Sequence, residues 1–131
     1  MIKLLQALET KLLTIAEIDK VRPISKVDEL KEFNNYVVAY EIVDESPYKN
    51  RKGRYITPLF INTYSNVENG EIAVLWLNKQ IKQLLDEVDL SNTNLRTYKV
   101  KIQSSSPQPE KNRLLDCWQS VVGVEVRWQE L

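Results

Sequence analysis

Apolar residues return at helical spacing near the start of the chain. From Ile2 to Ile18, Leu5, Leu8, Leu12 and Ile15 form one stripe, widened by Leu4, Leu13 and Ala16, which predicts an amphipathic helix. Pro23 follows its end. Val21 to Asn35 mixes charge with isolated apolar residues and reads as connection. Tyr36 to Val43, YVVAYEIV, is β-branched and aromatic and predicts a strand. Arg54 to Tyr64, RYITPLFINTY, predicts a second. In it Tyr55, Leu59 and Ile61 face one way and Ile56, Phe60 and Tyr64 the other, so both faces should be covered. Pro58 cannot donate to a ladder, which places this strand on an edge or puts a bulge in it.

Asn69 is a candidate N-cap for the strongest helical pattern in the chain, EIAVLWLNKQIKQLLDEV. Val74, Leu77, Ile81, Leu84 and Val88 line one face, with Ala73 and Leu85 beside them and Ile72 and Trp76 on a shoulder. Asp89 to Asn94 is mostly polar and ends it. Tyr98 to Gln103 alternates, with Tyr98, Val100 and Ile102 opposite Lys99, Lys101 and Gln103. A Ser/Pro-rich segment breaks the pattern, and Trp118 to Trp128 alternates again. Trp118, Val122, Val124, Val126 and Trp128 share one face there. Two such strands joined by a loop predict an antiparallel hairpin. The order helix, strand, strand, helix, strand, strand predicts an α+β fold. Its expected form is an antiparallel sheet of about four strands with two helices packed on one face.

A chain of 131 residues is most simply a single domain, 1–131. Lys plus Arg and Asp plus Glu both total 18, so the formal net charge is zero. A domain devoted to nucleic acid is usually clearly basic. No apolar run approaches a membrane span, and the N-terminal stretch lacks the continuous apolar core of a signal peptide. The expectation is a protein made in the cytoplasm, with no membrane partner.

The chain has no histidine and one cysteine, Cys117. Histidine-based acid, base and metal chemistry is therefore excluded. A lone thiol with no imidazole to activate it reads as a small strand residue. The paired acids Asp44/Glu45, Asp86/Glu87 and Glu68/Glu71 flank turns or a helix end and read as solvated surface. The three glycines are scattered, so no phosphate-cradling loop is present. The expectation is no enzyme, no cofactor and no metal. Trp76, Trp118 and Trp128 read as core rather than as a base-stacking surface. One feature stands out: Lys49, Arg51, Lys52 and Arg54 crowd around Gly53. This cluster is a candidate partner-binding loop, and the neutral total favours an acidic protein over nucleic acid.

The layout resembles the phage tail terminator family, lambda-type terminators in particular. The resemblance rests on the opening MIKLLQALETKLL, the strand YVVAYEIV, the unit YITPLFINTYSNVENGEIAVLWLNKQIKQLL and the closing YKVKIQSSSPQPEKNRLLDCWQSVVGVEVRW. It implies structural work without catalysis or cofactor. Family members form a hexameric ring on the head-proximal end of the tail tube, stop tube polymerisation and present a face to the head connector. The implied partners are further copies of the chain, the tail tube protein and head–tail connector proteins. DNA would be met only as it passes through the channel. The implied location is the tail or neck of a virion assembled in the host cytoplasm. The strand bearing Tyr55, Leu59, Phe60, Ile61 and Tyr64 would suit a subunit contact. Two alternatives stay open: another neck component, such as a connector adaptor or stopper, and a small nucleic-acid-binding domain using the basic loop with Lys99 and Lys101.

Overall fold

A computed structural model of the chain describes residues 2–23, 36–42, 46–47, 54–106 and 108–131. These form helix α1 (Ile2–Leu12), strands β1 (Ile18–Pro23), β2 (Tyr36–Ile42), β3 (Ser46–Pro47) and β4 (Arg54–Ser65), helix α2 (Gly70–Leu85), and strands β5 (Leu95–Ser105), β6 (Glu110–Asn112) and β7 (Cys117–Glu130). The fold class is the expected α+β. Four strands joined by antiparallel pairing, β2, β4, β7 and β5, make the body of the sheet.

The sheet is larger than the pattern predicted. β1 adds to β2 in parallel, and the short β3 and β6 pair with β4 and β7. β1 falls where the sequence reads as the end of a helix and the start of a connection. The helical stripe does continue to Ile18, but the helix stops at Leu12. Thr14 Oγ1 donates to the Lys11 carbonyl at 2.6 Å, occupying a terminal acceptor that another turn of helix would need. The chain then turns, and Ile18 and Val21 enter the core from a strand.

β4 lies at the centre of the sheet, not on an edge: β2 flanks it on one side and β7 on the other. Pro58 pairs with Glu125 of β7 on one flank, and on the other it falls between the last β2 pair, at Leu59, and the first β3 pair, at Ile56.

β4 and β7 pair without a register shift, and Leu59 meets Val124, Ile61 meets Val122 and Tyr55 meets Trp128. This puts Leu59, Ile61, Val122, Val124, Val126 and Trp128 on one face. Leu4, Leu8 and Leu12 of α1 and Leu77, Ile81 and Leu85 of α2 join them in one buried cluster. Both helices therefore cover the same face. Polar anchors sit within this layer. Asn78, buried on α2, donates to Ser120 Oγ on β7 at 2.6 Å. Trp128 Nε1 donates to Thr57 Oγ1 at 2.9 Å.

Asn69 occupies the cap position of α2 by a route other than the one predicted. It is left-handed (φ 60) and makes no side-chain cap bond. Its carbonyl accepts from the amides of Ile72 and Ala73. A Cβ on the next residue, Gly70, would lie 3.0 Å from both the Ser65 carbonyl oxygen and Trp118 Cδ1. Glycine thus lets the helix start hard against the sheet.

At the other end of α2, a polar network pins the connection to β5. Asp89 Oδ1 accepts from the Ser91 amide at 2.9 Å and from Thr97 Oγ1 at 3.1 Å. Thr97 Oγ1 in turn accepts from the Leu90 amide at 3.0 Å. The Glu87 amide donates to Val100 O and the Asn92 amide to Leu95 O, so this connection lies along the outer edge of β5.

Ile81→Ala removes buried atoms at a fully enclosed site and should lower stability by roughly 2–5 kcal/mol, read from denaturant unfolding. A second expectation concerns pH. Hydrogen bonds from Ser91, then from Thr97, hold the Asp89 carboxyl below its usual range. The folded-state value is depressed, so the stabilisation is present above the unfolded value and is lost as pH falls through the folded one. The protection of the Ser91 and Thr97 amides, relative to their intrinsic exchange at each pH, should fall selectively in that acidic window, and Asp89→Asn should remove this change in protection.

Candidate assembly surface

The face of the sheet away from the helices is built by the residues that alternate with the core set. β4 contributes Arg54, Ile56, Pro58, Phe60, Asn62 and Tyr64, and β7 contributes Gln119 through Gln129 at every second position. Gly123 stands opposite Phe60 on β4 and Ser104 on β5. A Cβ there would come 2.4 Å from Ser104 Oγ and 3.3 Å from Phe60 Cε1. The missing side chain makes room for the Phe60 ring to lie over the backbone, and the ring still keeps 38% of its surface exposed.

The five β4 residues considered for a subunit contact therefore divide. Leu59 and Ile61 are enclosed in the chain's own core, and Tyr55 packs against that core with its ring centroid 4.9 Å from that of Trp128. Tyr64 is also buried. Phe60 is the member of the set that offers apolar surface.

Tyr98 departs from its predicted face. The β5–β7 register slips between Thr97 and Lys99, so Tyr98 is an extra residue in a bulge. Val100 and Ile102 keep their inward positions opposite Val126 and Val124, while Tyr98 is 45% exposed. Its hydroxyl donates to Gln129 Oε1. The guanidinium carbon of Arg54 lies 5.0 Å from the ring centroid and that of Arg96 5.4 Å. Beside this group, Arg54, Tyr55, Tyr98, Lys99, Arg127 and Trp128 line a cavity of about 260 Å³. Arg127 Nε is 3.3 Å from Glu125 Oε1. Lys99 and Lys101 point outward beside Arg127 and Glu125. Of the predicted basic loop, Lys49, Arg51 and Lys52 lie outside the described residues; Arg54 opens β4 and belongs to this cationic group.

A second exposed surface lies on α2. Ile72, Leu75 and Trp76 are 65%, 41% and 40% exposed. Their i, i+3, i+4 spacing makes them one apolar stripe on the side of the helix turned away from its buried residues. The sequence held the signal in the shoulder positions of Ile72 and Trp76, and Trp76 is not the core residue it was expected to be. Trp128 is fully buried, and Trp118, partly buried, has Lys111 Nζ 5.5 Å from its ring centroid.

Among the described residues no cluster of three or more Cys, Asp or Glu side chains could hold a metal ion. Asp86, Glu87, Glu68 and Glu71 are exposed; Asp44 and Glu45 lie outside the described residues. Cys117 is buried, and burial above all raises its thiol pKa, with Asp116 adding and Lys111 opposing. Among the described residues no helix is long and apolar enough to cross a membrane.

No family model matches the chain, and no curated protein matches it in sequence. Among solved structures it is similar to a chain in the virion of a native gene transfer agent particle. The two superpose with a TM-score of 0.61 at 12% identity, over 94% of this chain and 85% of that one. At that identity the likeness is one of fold.

Cys117 should alkylate far more slowly in the native protein than in denaturant at the same mildly alkaline pH, because the thiolate is both disfavoured and covered. Mass spectrometry after a timed iodoacetamide pulse measures this, and equal rates would mean that the Asp116–Cys117 turn opens freely.

Proposed function

We propose that the protein is a structural component of a phage-type virion, and specifically a tail terminator. In this reading copies of the chain form a ring on the head-proximal end of the tail tube, stop its polymerisation and offer a docking face to the head connector. The reading is non-enzymatic. The observation that carries it is the fold likeness to a virion chain over nearly the whole length of this one. The order and lengths of elements in the sequence, which resemble tail terminators, support it independently. The exposed surfaces are of the kind that assembly uses: an apolar stripe on a helix, and Phe60 on the sheet face away from the helices.

Phe60 and the stripe Ile72, Leu75 and Trp76 are the contacts assigned to subunit and tube association. Phe60 stands on the face of β4 away from the helices, with its ring 38% exposed. A charge there would leave the core untouched and oppose burial in an interface. Phe60→Asp should therefore give a folded protein whose native mass falls from ring to single chain, read by mass photometry and circular dichroism. An unchanged native mass would move the interface off this face. Adding the parent protein to polymerising tail tube should cap growth at a fixed length. An adaptor or stopper would leave tube length alone and act on joining to the head.

A further inference from the structure

We propose that the cationic slot between the start of β4, the β5 bulge and the end of β7 docks an acidic segment of a protein partner. The proposal rests on reading Arg54 as a partner contact, not on the position of the protein in a virion.

Charge excess is the first argument. Arg54, Arg96 and Lys99 converge on Tyr98 and the adjoining cavity. Among the described residues none of the three has a carboxylate within ion-pair distance, and the carboxylate of Glu125 is engaged by Arg127. Like charges held this close repel one another, and an arriving anion reverses that penalty.

Preorganisation is the second. Tyr98 is fixed by its hydrogen bond to Gln129, and its ring holds two guanidinium groups against it. A stacked guanidinium keeps its N–H edge available for a bidentate carboxylate. The bulge makes this possible, because without it Tyr98 would take an inward position beside Val100.

Shape chooses between anions. The cavity is concave, of side-chain size, and has Tyr55 and Trp128 among its walls. That suits a glutamate or aspartate, whose methylenes meet the partly exposed Tyr55 side of the cavity while the carboxylate reaches the rim. Single-stranded nucleic acid relies on aromatic faces open to bases. Here the Tyr98 ring is engaged by arginines and Trp128 is fully buried. A duplex needs a broad basic surface, whereas this chain has a formal net charge of zero.

Fluorescence anisotropy at low ionic strength tests the proposal with a labelled oligoglutamate peptide and, separately, a random-sequence DNA duplex. The parent protein should bind the peptide. Arg54→Gln with Arg96→Gln should weaken that binding by about tenfold or more, as expected for loss of charge-assisted contacts. The charge-matched pair Lys11→Gln with Lys79→Gln, away from the slot, should leave it nearly unchanged. Arg96→Gln alone serves if the double variant melts early. Absence of peptide binding by the parent would overturn the proposal. So would equal loss in the two double variants, which indicates diffuse charge, or loss of DNA binding with peptide binding kept. Slot-dependent peptide binding by a protein that fails to cap tail tubes would uphold the docking site and count against the terminator reading alone.

Discussion

The pairing of β4 with β7 is the interaction on which the rest of the molecule depends. All 12 residues of β4 find a partner on β7, in unbroken register from Arg54 opposite Gln129 to Ser65 opposite Trp118. Because side chains alternate strictly, a slip of one residue would send Leu59, Ile61, Val122 and Val124 to the open face. α2 is seated by this ladder twice over. Its buried stripe packs on the inward residues, and Asn78 reaches Ser120 on β7 itself. The partners are far apart in sequence, so closing this ladder carries a large loop entropy. β2 and β5 then have formed strands to add to.

Much of this was legible because the signals were long and periodic. The stripe of α2 and the alternation of β7 each repeat often enough for one interpretation to win. The errors came where a single local interaction overrode the period. The Thr14 hydroxyl ends α1 early and leaves Ile18 and Val21 to a strand. One inserted residue at Tyr98 turns an aromatic outward while its neighbours keep their faces. Pro58 suggested an edge, yet its strand lies between β2 and β7. Asn78 was missed because a polar residue within an apolar stripe announces nothing until Ser120 is seen opposite.

The candidate surfaces were less legible than the fold, for a related reason. Apolar residues on β4 could be read as interface or as core, and only the register separates them. It assigns Leu59 and Ile61 to the interior and leaves Phe60 outside, over a glycine that makes room for it. Charge behaves in the same way. A chain with balanced totals can still gather Arg54, Arg96, Lys99 and Arg127 in one place, because strands distant in sequence supply them.

The connection after α2 has a further consequence. By donating Glu87 N–H to Val100 O and Asn92 N–H to Leu95 O, it occupies backbone acceptors along the rim of β5. The bulges at Tyr98 and Gln103 distort that rim further. An open, flat rim would invite another strand to add on, which is how stray sheets grow into aggregates. A rim blunted in this way is a poor template for another strand, so growth of the sheet past β5 is disfavoured.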